Sequence, residues 1–156
     1  MTKVNAELGT SPQVTQSNAK EVKAAESFYL SEQLENKALY FTLDETNVYF
    51  IDDKAISSIG KNASSSKTIV ENDKAWKNIG GLATYNTNLY VLDKDQNQIF
   101  KFVNSGSEYA KSNYFPTSVE PDFGKAISLA IDNNVYVLFS DGAVAKYFKG
   151  GAQDFS

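Results

Sequence analysis

One five-residue phrase is written three times along this chain: Asn47 Val48 Tyr49 Phe50 Ile51, Asn88 Leu89 Tyr90 Val91 Leu92, and Asn134 Val135 Tyr136 Val137 Leu138. The copies begin at positions 47, 88 and 134, so the intervals are 41 and 46 residues, inside the roughly 40 to 50 residue period of propeller blades. The match widens around the first and third copies. Lys37 Ala38 Leu39 Tyr40 Phe41 Thr42 Leu43 Asp44 aligns with Lys125 Ala126 Ile127 Ser128 Leu129 Ala130 Ile131 Asp132, and Leu82 to Tyr85 holds the middle place.

Within the phrase, Val48 and Phe50 point to one side of a strand while Tyr49 and Ile51 point to the other, and both sides are apolar. A strand apolar on both sides needs a layer packed on each, as between neighbouring blades. The tyrosines Tyr49, Tyr90 and Tyr136 are therefore expected to be doubly buried and to hold adjacent blades together. Each repeat reads as strand, tight turn, strand, turn, strand. The first runs Leu39 to Leu43, Val48 to Asp52 and Ala55 to Ile59, with a fourth strand at Lys67 to Val70. In the second, Leu82 to Tyr85, Leu89 to Asp93 and Ile99 to Val103 precede a weak segment at Asn113 to Phe115. Ala126 to Ile131, Val135 to Phe139 and Val144 to Phe148 form the third, with Asp141 Gly142 as the hairpin turn.

The fold class predicted is all-β: a partial β-propeller of about three four-stranded antiparallel blades, the last incomplete because the chain stops where its fourth strand is due. Units fall at about 37–74, 75–117 and 118–156, inside a propeller region at 27–156. Residues 1–26, polar and without apolar period, are expected to be linker or disordered, and Ser27 to Ser31 to form a strand of a preceding or partner blade. A β-sandwich of short strands is the competing architecture. Propellers have about 4 to 8 blades, so three units imply either a piece of a longer protein or a subunit that completes its ring by self-association.

The repeat resembles six-bladed propellers of the NHL and TolB-like kind. More narrowly, Asp122 Phe123 Gly124 Lys125 Ala126 to Leu138, followed by Lys146 Tyr147 Phe148 Lys149 Gly150, resembles the C-terminal propeller region of certain bacterial PPM-type protein phosphatase proteins. The resemblance covers about Phe28 to Ser156. It implies a phosphatase domain and any membrane anchor upstream, and it transfers no catalytic residue to this chain.

Composition removes much chemistry. The 156 residues contain neither cysteine nor histidine, which excludes disulfides, thiolate or imidazole metal sites and the usual nucleophile and base pairings. All basic residues are lysine and the net charge is −4, against recognition of nucleic acid or an anionic membrane through a basic field. No signal-peptide pattern and no apolar run of membrane-spanning length occurs, and the compartment is left open.

Candidate motifs each have a plain structural reading. Asp93 Lys94 Asp95 Gln96 Asn97 opens like a calcium loop but has Gln98 and Asn104 where that loop needs Gly and Glu, so a polar hairpin turn is expected. Asp52 Asp53 ends a strand as a solvated turn, and the sequon Asn62 Ala63 Ser64 lies in a Ser-rich loop. Trp76, the single tryptophan, is the candidate ligand or inter-blade contact. No catalytic, cofactor or metal residue is assigned and no cofactor is expected. The function expected is a non-catalytic binding or sensory propeller module of a larger bacterial protein, taking an unknown protein or small ligand. The alternative is a metal-dependent hydrolase or lactonase-type propeller enzyme using Asp44, Asn88 and Asp132.

Overall fold

The computed structural model describes residues 37–63, 65–71 and 76–155. The linker expected before residue 27, the strand expected at Ser27 to Ser31, and Ser64 of the sequon lie outside the described residues. Among the described residues twelve strands form three four-stranded antiparallel sheets. The first holds β1 (Tyr40–Leu43), β2 (Asn47–Ile51), β3 (Ala55–Gly60) and β4 (Lys67–Glu71). The second holds β5 (Ile79–Tyr85), β6 (Asn88–Asp93), β7 (Gln98–Asn104) and β8 (Tyr109–Asn113), and the third β9 (Ala126–Ile131), β10 (Val135–Phe139), β11 (Val144–Phe148) and β12 (Gly151–Gln153). Each sheet is a meander in which consecutive strands pair. There are three sheets rather than the two of a sandwich, no helix occurs among the described residues, and the blades form an open, partial propeller.

β5 lies against β1 on one side and β9 on the other, so the first strands stand side by side and the second blade is the middle one. Two apolar cores fill the spaces between blades. Tyr49, Ile51 and Ile56 of the first blade meet Leu82, Leu89, Val91, Phe100 and Phe102 of the second. The opposite side of the second blade offers Ala83, Tyr90, Leu92 and Ile99 to Ala126, Leu129, Val135 and Val137 of the third, with Phe115 and Phe123 sealing that core. Strand alternation produces this division, since neighbours such as Tyr90 and Val91 project to opposite sides. At roughly 1.5–3 kcal/mol for each fully buried aliphatic or aromatic side chain, these two interfaces, rather than either sheet alone, stabilise the blades. The approach of β5 to β9 is close: a Cβ on Gly81 would lie 2.9 Å from Leu129 Cβ and 3.2 Å from its backbone nitrogen.

Three expectations are corrected. The fourth strand of the second blade is β8, not Asn113 to Phe115. Gln98 Oε1 accepts the Phe115 N–H at 3.0 Å while its Nε2 donates to the Phe115 carbonyl at 3.2 Å, drawing Phe115 out of the ladder to plug the core. The third blade is complete in strand number. Lys149 and Gly150 have φ of 49° and 79°, a two-residue hairpin turn that sends β11 straight back into the short β12. Finally, Tyr49 and Tyr90 are buried, but Tyr136 is only half-buried, because its side of the third blade faces no further sheet among the described residues. The Asp141 Gly142 turn is as expected, with Gly142 at φ 89° and the Asp141 carboxylate accepting the Ala143 N–H at 3.0 Å.

Candidate functional site

In the first blade the carboxylate of Asp44 closes the β1–β2 turn. Its Oδ1 accepts the N–H groups of Thr46 and Asn47, both at 2.8 Å, and its Oδ2 accepts the Tyr49 hydroxyl at 2.8 Å. Burial alone would raise the Asp44 pKa, but the hydrogen bonds from Thr46, Tyr49 and Asn47 outweigh it and hold the group below its ordinary value. Tyr49 moves the opposite way: burial first, then the hydrogen bond to the Asp44 anion, push its hydroxyl well above the usual tyrosine value. The third blade repeats the device. Asp132 Oδ1 accepts the Asn134 N–H at 2.6 Å and Oδ2 the Tyr136 hydroxyl at 3.3 Å, and the Asn134 backbone bond leads the causes that lower the Asp132 pKa.

The second blade departs from this pattern. Tyr85 stands where the first and third blades have aspartate, and the turn is made instead by Asn86 and Thr87 with φ of 48° and 63°. The Tyr90 hydroxyl, equivalent to those of Tyr49 and Tyr136, has no hydrogen-bond partner among the described residues. It lines a cleft of about 410 Å³ between the second and third blades. Tyr85, Asn86, Asn88 and Lys101 line it from the second blade, with Asn113 and Tyr114 after them, while Ile131, Asp132, Asn133, Phe148 and Lys149 line it from the third. The Lys101 ammonium stands 5.7 Å from the Tyr90 ring centroid. Tyr114 donates to the Tyr147 carbonyl at 3.4 Å, which ties one wall to the third blade. Burial raises the pKa of Tyr90, Tyr114 and Tyr147, so these tyrosines are neutral donors at physiological pH. A smaller cleft of about 240 Å³ between the first and second blades is lined by the equivalent Asn47 and Tyr49, with Ser58 in the place of Lys101.

The alternative catalytic set is not assembled as a metal centre. Asp44 and Asp132 are turn caps, and Asn88 Oδ1 accepts the Asn104 N–H at 3.1 Å. No three potential acidic ligands gather among the described residues. The Asp93 segment is a hairpin turn with Asn97 at φ 48°, and Asp93 is fully buried as an acceptor of backbone N–H groups. Asp52 caps a turn through the N–H groups of Lys54 and Ala55. Asn62 sits exposed in the turn after β3. Trp76 packs on the core between the first two blades, edge-on to Phe102 at 6.2 Å, away from the 410 Å³ cleft; its buried indole N–H has no hydrogen-bond partner among the described residues. Of the cleft residues, the sequence singled out Asn88 and Asp132 for the catalytic alternative and Tyr90 as an inter-blade contact; the others it did not mark as site residues, although one signal pointed there: Tyr85 interrupts an otherwise repeated aspartate.

No family model matches the sequence, and no curated protein does. Solved structures do match, among them the crystal structure of the computationally designed Ika4 protein, 12% identical, with a TM-score of 0.42 over 75% of this chain and 94% of that one.

Proposed function

We propose that the chain is a non-catalytic binding module whose ligand enters the cleft between the second and third blades. The observation that carries this reading is the Tyr90 hydroxyl, which lacks the carboxylate partner of its two counterparts and opens into that cleft. Three tyrosines supply flat apolar faces with polar tips, and Asn86, Asn88, Asn113 and Asn133 supply both donors and acceptors. Such a lining suits a small polar molecule rich in hydroxyl or amide groups, and the volume is within the range of small-molecule sites. The resemblance to NHL and TolB-like propellers, and to the propeller region of bacterial PPM-type phosphatase proteins, supports a place in a larger bacterial protein. A sensory role would follow from ligand closure of the cleft. The absence of cysteine and histidine from the sequence argues against the hydrolase reading.

Isothermal titration of the chain with a panel of mono- and disaccharides and of di- and tripeptides tests the proposal. Binding by one class is expected, weakened roughly tenfold or more by Tyr85→Ala or Asn113→Ala, the loss of one or two hydrogen-bonding or stacking contacts. Binding that both variants leave unchanged, or no binding by any panel member at millimolar concentration, overturns it.

A further inference from the structure

The repeat allows each blade to be compared position by position, and the comparison exposes two unfinished interfaces. On one side of each blade stand three equivalent sets: Phe41, Val48 and Phe50 in the first, Leu82, Leu89 and Val91 in the second, Leu129, Val135 and Val137 in the third. The second and third sets are buried against the preceding blade, with Leu82 and Leu129 at 5% and 7% exposure, whereas Phe41 is 69% exposed. Leu39 and Leu43 flank it, also exposed. On the opposite side the equivalences are Ile51, Leu92 and Leu138, then Ile56, Ile99 and Val144. The first two of each series are 0% exposed against the following blade, while Leu138 and Val144 are 37% and 44% exposed.

We infer that the open side of the first blade and the open side of the third dock on each other between two copies of this chain, head to tail. The partner face required by Phe41 is one built like the outgoing side of a blade, and Tyr136, Leu138 and Val144 form such a face. The pairing continues the interface that already joins blades within the chain. Charge permits it. The incoming face is apolar at Phe41, Val48 and Phe50, and the outgoing face carries Lys146, whose counterpart Lys101 is already accommodated between two blades beside Tyr90. Phe155 lies on the outgoing face with its ring 6.2 Å from Tyr136, yet is itself 63% exposed, so it leaves apolar surface uncovered. The contact is heterologous, and heterologous contacts finish only by closing a ring. The three described blades of each of two copies make six, within the about 4 to 8 that propellers hold.

Sedimentation equilibrium of the full chain tests this directly. The expected mass is twice the 17.2 kDa of one chain. Phe41→Asp and Leu138→Asp should each weaken association roughly tenfold or more, because each buries an unpaired carboxylate in both contacts. Both positions are exposed within one chain, so circular dichroism should show each variant folded. An equal mixture of the two variants should recover association in part, since the intact Phe41 face of the Leu138→Asp chain meets the intact Leu138 face of the Phe41→Asp chain at one contact, while the other contact holds both carboxylates. A single-chain mass at all concentrations overturns the inference. So does a two-chain species that neither variant weakens, a mixture that recovers nothing, or an assembly of another size.

Discussion

Thr87 follows Asn86 in the β5–β6 turn, both in the left-handed region, as a two-residue hairpin of matching twist requires. Asparagine tolerates that region, but a β-branched side chain does not, and left-handed geometry costs an L-residue roughly 1–2 kcal/mol. Thr87→Gly relieves this strain while loosening the unfolded chain, for an expected net gain of about 0.5–1 kcal/mol. Urea unfolding measures it, and a midpoint that does not rise would show the turn to be unstrained. Asp44 makes a second prediction at this scale. Its folded pKa is depressed below 3.8, so its contribution is present in full above that unfolded value and is lost as pH falls through the lower folded value. The stability gap between the wild type and Asp44→Asn should therefore be constant near neutrality and narrow under acid, followed by thermal unfolding from pH 7 to pH 2. A gap that widens below pH 4 would contradict the assigned hydrogen bonds.

Several hairpins in this chain are closed by a carboxylate at or just after the end of a strand: Asp44, Asp52, Asp93, Asp132 and Asp141. Asp93 is the most demanding case. Its two oxygens accept the N–H groups of Asp95 and Gln96 in its own turn, and those of Lys77 and Asn78 in the segment that enters β5, at 2.7 to 3.3 Å. One buried side chain thus fastens the β6–β7 turn to the start of the blade. Truncation leaves several of these donors without an acceptor, each worth about 1–3 kcal/mol when buried. Asp93→Ala should destabilise the chain by on the order of 3 kcal/mol or more, read from chemical denaturation, whereas the solvent-facing cap Asp52 should tolerate alanine far better. Equal losses at the two positions would mean that burial of Asp93 is not what makes it important.

Across the whole molecule, what the sequence disclosed was whatever depends on alternation. The phrase strands, their hairpin partners and the division into three four-stranded sheets follow from apolar residues at every second position, and β1 to β7 and β9 to β11 lie where that pattern puts them. Two strand placements depended on something else. Gln98 pulls Phe115 out of line through paired side-chain bonds, and Lys149 takes a left-handed conformation that its side chain does not advertise. The cleft was hidden for a third reason: it arises from a missing interaction, the aspartate that Tyr85 replaces, and an absence is visible only when the three repeats are laid on one another. The half-buried state of Tyr136 reflects its place on a side of the third blade that no other described sheet covers, which local pattern does not encode. The outer strands β4, β8 and β12 carry a different consequence. They are short or largely exposed, with Lys67 and Lys111 among their residues and only three residues in β12. Short, charged strands make poor templates for adding another chain's strand. The rim of each sheet therefore resists fibril-like growth, and a chain rich in β-structure keeps its capacity for strand-on-strand aggregation low.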